Sequence, residues 1–359
     1  MRMNVYLTTG RKNYKYAYVA IRSLFEKNQN SEIYLYIVSE DLEEADLEYE
    51  RDLARQYGHH IIILRFDEEA AARHIRFTAG EHWAVGAMSS YWIFHELLPK
   101  EVDRIIVIES DTVIVGDLAE IYGTDFEGAY AICPGPEHKP RNHRDFMEKI
   151  RGDCLTFVLS MYDVERIRRD FTLEDILNAD AGIRKLTGNS MMELTFGLLF
   201  AGRIKYIPAR TACIDENERY MEELGYDHIA ACEKTAKIIH FSSYGDYSKP
   251  WNPVFLVPGY REWWKYAADS PYYKEYIQSQ WQYYNRTREK QQQIAKNVTY
   301  RNILLCTIGF MTLLLMGLCL VSDYGWAACL TVPVIAVVSF GLSLFVRRIS
   351  MAWGKDRRK

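Results

Sequence analysis

The chain has 359 residues, and its balance of 48% hydrophobic and 26% charged residues is typical of a folded protein. Its formal net charge of −4 gives no general case for nucleic-acid binding, which favours basic domains. Seven scattered cysteines show no CxxC or Cys/His ligand spacing, so the sequence predicts reduced thiols and excludes a disulfide framework. The first residues hold no apolar stretch of the signal-peptide kind, and we expect no cleaved leader.

Strand-like and helix-like segments alternate along the chain. Apolar and β-branched runs predict strands at residues 5–8, 32–40, 59–66, from 106 onward, 203–208 and 237–243. Apolar residues at helical spacing predict helices at about 16–28, 42–57 and 87–98. The aromatic-rich segment 251–281 predicts a helix that packs on the body through its rings. This alternation predicts an α/β fold, with a mostly parallel mixed sheet and helices on both faces.

The run IVIESDTVIVGDL, residues 106–118, places two carboxylates one residue apart in an apolar stretch. Charges are rarely buried without a partner. Either Glu109 and Asp111 are solvated at the end of a strand, or they converge on a metal ion. Ligands bind beyond the carboxyl ends of strands in parallel α/β sheets, which favours the metal. His240, near the end of another predicted strand, would complete a site of two oxygens and one nitrogen.

Two uncharged apolar stretches, residues 303–321 and 326–346, lie near the C-terminus. Each is about long enough to cross a bilayer as a helix. Lys and Arg residues flank the pair on both outer sides, so the sequence predicts a transmembrane hairpin at 303–346 in the cell membrane, with the rest of the chain cytoplasmic. Residues 278–302 are then a basic linker or stalk, and 347–359 a basic tail. The alternative is a buried helical hairpin of a soluble fold.

Four segments carry further motifs, in this order: ELLPKEVDRIIVIESDTVIVGDL (96–118), FAGRIKYIP (200–208), IIHFSSYGDYSKPW (238–251) and EWWKYAADSPYYKEY (262–276). Together they resemble glycosyltransferase family 8, the retaining sugar-nucleotide transferases that include glycogenin and bacterial lipopolysaccharide and capsule transferases. Glu109 and Asp111 take the acid positions of the family's Asp-x-Asp motif. The resemblance implies a type A glycosyltransferase fold, with a Rossmann-like nucleotide-sugar-binding catalytic domain at residues 1–277.

The resemblance also implies a divalent cation, Mn²⁺ or Mg²⁺, that grips the diphosphate of a nucleotide-sugar donor, expected to be a UDP-sugar. Carried over by position, the metal ligands are Glu109, Asp111 and His240, and Lys249 meets the diphosphate as a point charge. Glu193 stands at the family's central catalytic position, where a carboxylate can act as nucleophile or stabilise an oxocarbenium-like transition state. The other implied donor-binding residues are Thr8, Thr9, Ser110 and Gly245.

The sugar-facing motifs depart from the family pattern. The family's Tyr-x-Arg reads Tyr-Trp-Ile at 91–93, its Asn-Ser-Gly turn reads Thr-Phe-Val at 156–158, and its Asp-Gln-Asp segment reads Met-Glu-Leu at 192–194. The first interpretation is a membrane-anchored retaining glycosyltransferase that moves a hexosyl group from a nucleotide sugar to a cell-surface or lipid-linked glycan acceptor. The second is a catalytically degenerate member that binds a nucleotide sugar or a partner transferase without turnover. The third is a membrane-tethered structural protein.

Overall fold

The computed structural model describes residues 1–65, 90–136, 141–188, 190–214, 234–241, 249–251 and 259–321. The chain divides into two compact units, Met1–Trp281 and Gln282–Lys359. Every candidate site residue predicted from the sequence falls within the first unit. The description below therefore concerns mainly that unit.

The first unit is built on two sheets. Its described strands are β1 (Arg2–Thr8), β2 (Glu32–Ser39), β3 (His60–Arg65), β4 (Arg104–Ile108), β5 (Thr112–Ile114), β6 (Ala131–Pro134), β7 (Ser160–Asp163), β8 (Ile204–Ile207), β9 (Ala212–Ile214) and β10 (Ile238–His240). Seven strands form one sheet in the order β3-β2-β1-β4-β7-β6-β8, and three form another in the order β5-β10-β9.

The larger sheet is mostly parallel, as the sequence predicts. β1 pairs in parallel with β2 and β4, β2 with β3, and β6 with β8. β7 instead runs antiparallel to both of its neighbours, β4 and β6. The sequence analysis misses β6, β7 and β9, which have only three or four residues each.

Helices cover the strands. The described helices are α1 (Tyr14–Lys27), α2 (Glu48–Tyr57), α3 (Phe94–Leu97), α4 (Ala119–Tyr122), α5 (Arg141–Lys149), α6 (Val164–Asp170), α7 (Leu173–Thr187), α8 (Met192–Leu199), α9 (Tyr260–Ala267) and α10 (Tyr273–Val321). Ala17, Ile21 and Leu24, which predict the first helix, are buried in the same apolar core as the strands.

Ser23 of α1 and Asn28, the residue that caps the end of α1, fix the segment that follows the acid pair. Ser23 Oγ accepts a hydrogen bond from the Ile114 backbone N–H at 2.9 Å. Asn28 Oδ1 accepts one from the Leu118 backbone N–H at 2.8 Å. Both contacts are buried, and a buried N–H left without an acceptor would be costly. The chain around β5 is therefore held against α1.

Two predicted helices differ in the structure. The one at 42–57 begins with a 3₁₀ turn, Glu44–Leu47, before α2. The one at 87–98 is interrupted: a 3₁₀ turn, Ser90–Trp92, precedes the short α3, and residues 87–89 lie outside the described ranges. The Arg168 guanidinium donates to the carbonyl oxygens of His95 and Leu98 at 2.6 and 2.7 Å. Backbone acceptors at the end of α3 are thus satisfied by a side chain and not by a longer helix.

The aromatic-rich segment contributes to the core. It forms α9 and the start of α10 as two helices, where the sequence predicts one. Trp263 and Tyr276 are fully buried, and the Tyr16 ring stacks on Trp251 with centroids 4.1 Å apart. Packing through the rings, as predicted, is confirmed for these residues.

α10 continues to Val321 and so includes residues 303–321, the first predicted span. In the part of the chain that the structure describes, no helix has the length and apolar content needed to cross a membrane. The second predicted span, 326–346, lies outside the described residues. The hairpin stays a prediction.

A carboxyl group of α2 is buried against Tyr272, the residue that precedes α10. Glu50 is fully buried, and the Tyr272 hydroxyl donates a hydrogen bond to its Oε1 at 3.2 Å. Burial raises the pKa of Glu50 to about 7, and hydrogen bonds from the backbone and from Tyr272 offset this only in part. Glu50 therefore changes its charge close to neutral pH.

Glu50→Gln is expected to flatten the pH dependence of stability. The folded wild type holds the Glu50 proton up to a pKa of about 7, whereas an unfolded glutamate releases it near 4.5. The free energy of unfolding of the wild type therefore falls as the pH rises through this window, by about 3 kcal/mol in total. Gln keeps an acceptor for Tyr272 but does not ionise, so it removes this slope.

Thermal unfolding between pH 5 and pH 8 measures the difference. Glu48→Gln is the matched control, because Glu48 lies on the same helix and is exposed. The control is expected to keep the slope of the wild type. If the pH dependence of stability is unchanged in Glu50→Gln, ionisation of Glu50 is not its cause.

Candidate active site

The run that contains the two acids does not form one strand. β4 ends at Ile108 and β5 begins at Thr112, and the two strands belong to different sheets. Residues 109–111 link them, and Thr112 Oγ1 donates a hydrogen bond to the Glu109 carbonyl at 2.7 Å. Glu109 and Asp111 therefore follow the carboxyl end of β4, the strand end at which the sequence predicts a ligand.

Backbone pairing brings His240 to the same place. β10 runs antiparallel to β5, with His240 opposite Thr112, and the Phe241 N–H donates to the Asp111 carbonyl at 3.1 Å. In this register His240 Nε2 lies 2.7 Å from Glu109 Oε2 and 3.2 Å from Asp111 Oδ1. Two segments more than a hundred residues apart thus supply one cluster.

The charges in this cluster compensate one another. Lys249 Nζ contacts Asp111 Oδ2 and donates to the Phe241 carbonyl. Burial opposes the charged form of His240, but the negative charges of Asp111 and Glu109 outweigh it and raise the pKa of His240 to about 9. Burial also opposes ionisation of Asp111, yet Lys249 and His240 hold the pKa of its carboxyl well below the usual range. The cluster therefore keeps the Asp111 carboxylate charged although it is largely buried.

The same three side chains fit a hard divalent cation. Glu109, Asp111 and His240 each offer one ligand atom, and these atoms lie within 4.8 Å of one another. Carboxylate oxygen and imidazole nitrogen are ligands that Mn²⁺ accepts, and the carboxylates also suit Mg²⁺. The ring of His240 is buried, and its Nε2 faces both carboxylates. A cation bound here would take the place of the Nε2 proton between the imidazole and the two carboxylates.

Two implied donor-binding residues lie at the end of β1. Because β1 and β4 are parallel neighbours, Thr8 and Thr9 leave the sheet at the edge that carries Glu109. Both are buried, and Thr9 Oγ1 has no hydrogen-bond partner among the described residues. Ser110 lies between the two acids on the β4–β5 link. Gly245 lies outside the described residues.

Glu193 is on α8, next to the loop that precedes β7. Its Oε1 accepts a hydrogen bond from the Phe157 N–H at 3.4 Å. Since β7 is antiparallel to β4, the loop before β7 stands at the same sheet edge as the acid pair. Gly197 permits this approach, because a Cβ there would lie 2.2 Å from the Asp153 carbonyl oxygen. The structure thus brings α8 to the edge of the sheet that holds the acid cluster.

Tyr91 and Phe157, which the sequence analysis does not assign to the site, connect Thr8 with Glu193. The Tyr91 ring packs edge-on against Phe157, with centroids 4.3 Å apart, and its hydroxyl hydrogen-bonds to Thr8. Burial and the charge of Glu109 raise the pKa of Tyr91, so its phenol stays protonated. In the sequence, Tyr91 stands only in a motif that departs from the family pattern, which gives no signal of this contact.

Asp180 connects the segments around α8. This fully buried carboxylate accepts hydrogen bonds from Trp92 Nε1 at 3.2 Å, from Ser190 Oγ at 2.6 Å and from Thr195 Oγ1 at 3.1 Å. Arg184 Nε lies 3.3 Å away and supplies the opposite charge. Ser190 and Thr195 flank Glu193 in the chain, so Asp180 fixes the helical turn that presents it. The partners come from distant segments, and no sequence pattern indicates them.

Comparison with known proteins gives a family and a fold. The sequence model of glycosyl transferase family 8 matches residues 4–254, which is more than half of the chain. The crystal structure of the galactosyltransferase LgtC with donor and acceptor sugar analogues aligns with a TM-score of 0.60, at 14% identity over 75% of this chain and 96% of that one. A search of curated proteins gave no significant match.

Two further solved structures are similar. The bifunctional glycosyltransferase WbbM aligns with a TM-score of 0.62, at 15% identity over 78% of this chain and 52% of that one. The glycosyltransferase GlyE of Streptococcus pneumoniae TIGR4 aligns with a TM-score of 0.55, at 13% identity over 74% of this chain and 60% of that one. At these identities the similarity concerns the fold, and it agrees with the type A arrangement that the sequence predicts.

Proposed function

The chain belongs to glycosyl transferase family 8 and is a glycosyltransferase. From this premise we propose that it transfers a sugar, with retention of configuration, from a nucleotide sugar to a glycan or lipid-linked acceptor at the cell membrane. We propose a UDP-sugar as the donor and Mn²⁺ or Mg²⁺ as the cation. Glu109, Asp111 and His240 are the proposed ligands, and Glu193 is the proposed catalytic residue.

The observation that carries the proposal is the convergence of Glu109, Asp111 and His240 at the carboxyl edge of the sheet. A strand that simply ended in water would leave its acids exposed. The side chains of Glu109 and Asp111 are instead only 22% and 17% exposed, and a buried histidine faces both. Such a cluster suits a cation that carries a diphosphate.

In the proposed function, one group of residues binds the diphosphate part of the donor and another acts on its sugar. When bound, the cation supplies Lewis-acid stabilisation of the charge on the leaving diphosphate. Lys249 adds a mobile positive charge for a phosphate oxygen, and its flexible stem lets it follow that oxygen. Thr8, Thr9 and Ser110 line the donor side with hydroxyl groups that can donate and accept hydrogen bonds.

Glu193 is proposed to act on the sugar. As the diphosphate leaves, positive charge develops near the anomeric carbon, and a carboxylate on that face stabilises it or attacks as a nucleophile. The hydrogen bond from Phe157 and the Asp180 network restrict the movement of Glu193. A positioned carboxylate of this kind stabilises the transition state more than the bound donor.

A membrane anchor is proposed for the second unit. α10 carries large apolar side chains that are exposed between residues 303 and 314: Ile303, Leu304, Leu305, Phe310, Met311, Leu313 and Leu314. An apolar surface of this kind is unfavourable in water and favourable in lipid. The anchor would hold the first unit close to lipid-linked or cell-surface acceptors.

Asp111→Asn and His240→Ala are expected to weaken Mn²⁺ binding in the presence of UDP by about tenfold or more, because each removes a ligand atom from the proposed shell. Isothermal titration calorimetry with saturating UDP measures the change. Glu120→Gln, which alters an exposed carboxylate on α4, is the control and should bind as the wild type does. Wild-type affinity for Mn²⁺ in both site variants would show that the acid pair does not bind the cation and is only solvated at the end of a strand.

Glu193→Gln is expected to lower the rate of donor hydrolysis or transfer by about a hundredfold, with donor affinity nearly unchanged, because the substitution removes charge and little volume. Rates and affinities are measured over several nucleotide sugars. Glu174→Gln, an exposed position on α7, is the matched control. Equal and substantial rates would remove Glu193 from the mechanism. Nucleotide binding without turnover in the wild type would instead support the catalytically degenerate alternative.

The chain truncated after Trp281, the last residue of the first unit, is expected to be soluble and folded, while the full chain sediments with membranes. Fractionation without detergent shows which chain is soluble, and a thermal unfolding curve shows whether the truncated chain is folded. A truncated chain that aggregates, beside a full chain that stays in the soluble fraction, would mean that the apolar tail belongs to the fold.

A further inference from the structure

We propose that the ammonium of Lys249 competes with a divalent cation for Asp111, and that a nucleoside diphosphate relieves this competition by drawing the ammonium to itself. Lys249 would then couple the binding of the two ligands and would not be only a contact to the phosphates. The inference rests on the proposed function, since it takes Asp111 as a cation ligand.

The competition follows from the contacts of Asp111. Its Oδ2 contacts Lys249 Nζ, and its Oδ1 lies 3.2 Å from His240 Nε2. Both carboxylate oxygens thus already have cationic or hydrogen-bonding neighbours. A cation bound by Asp111, Glu109 and His240 needs an oxygen lone pair at this position and repels the ammonium beside it. The ammonium and the cation cannot both keep their best contacts.

Lys249 is held, but it is able to leave. Besides Asp111, the Phe241 carbonyl accepts from Nζ, and this oxygen belongs to the segment that follows His240. The Lys249 side chain is 20% exposed, so solvent reaches part of it. A lysine ammonium on a four-carbon stem moves several ångströms without a change in the backbone. A diphosphate beside the cation offers it new anionic oxygens within that reach.

The direction of the coupling between cation and diphosphate binding distinguishes this proposal from a role of Lys249 as a phosphate contact only. If the diphosphate removes a competitor of the cation, it raises cation affinity beyond its own direct coordination, and the cation raises diphosphate affinity by the same factor. A neutral residue at position 249 removes the competing ammonium even when no nucleotide is bound. Cation affinity without nucleotide should then rise, while the gain on adding nucleotide should shrink.

Calorimetry on the full chain in detergent tests this with Mn²⁺ alone and with Mn²⁺ in saturating UDP. Lys249→Met is expected to bind Mn²⁺ alone about fivefold more tightly than the wild type does, and to show a smaller gain from UDP. Lys249→Arg keeps the positive charge and should keep the weak binding of Mn²⁺ alone. Lys265→Met, which removes the lysine of an exposed pair with Glu262, should match the wild type.

Each other outcome overturns the proposal. Unchanged affinity of Lys249→Met for Mn²⁺ alone would leave Lys249 as a contact to phosphate only. Weaker affinity in a variant whose thermal unfolding shows a folded state would make it a structural support. If Lys249→Met does not fold, Lys249→Gln takes its place with the same expectation. A wild type that binds no Mn²⁺ even with UDP would instead refute the proposed cation site itself, which separates the two failures.

Discussion

The structure around the site depends on the electrostatic compensation of two carboxylates that stand one residue apart at the end of a buried strand. A charge in this position is costly unless opposite charges and donors surround it. The chain meets the cost by splitting the apolar run into β4 and β5 and by pairing β5 with β10. That pairing places His240 beside Glu109 and Asp111, and Lys249 contacts the Asp111 carboxylate from the other side.

The larger sheet gathers the remaining groups because several of its strands end at one edge. β1 and β4 are parallel, so Thr8 and Glu109 leave the sheet side by side. β7 runs the opposite way, so it is the start of β7, and the loop before it with Phe157, that meets this edge. Phe157 in turn binds Glu193 on α8. A single antiparallel strand thus connects the acid cluster with the residue proposed to act on the sugar.

The sequence predicts those features that depend on local pattern. The apolar spacing of α1 and the runs that form β2 and β4 are visible in one window, and the acid pair with His240 follows from motif order. The contact of Lys249 with Asp111 spans 138 residues, and the partners of Asp180 come from the 90–92 turn, the segment before α8 and α8 itself. Such contacts depend on tertiary packing. The interrupted helix near residue 95 has the same cause, because Arg168 on α6 takes its terminal carbonyls.

The two halves of the site differ in how they depart from the family pattern, and the difference has a physical reason. In the proposed function the diphosphate end is recognised by charge, which is the same for every nucleotide sugar, and Glu109, Asp111, His240 and Lys249 keep that charge pattern. The proposed sugar end is recognised by shape, and there Phe157, which stands at the family's serine position, packs edge-on against Tyr91. Asp180 nevertheless keeps a fully buried charge whose contacts hold α8 in place, and such a charge is stabilising only while its partners remain. The carboxylate network behind Glu193 therefore fixes the position of the helix that carries the proposed catalytic residue.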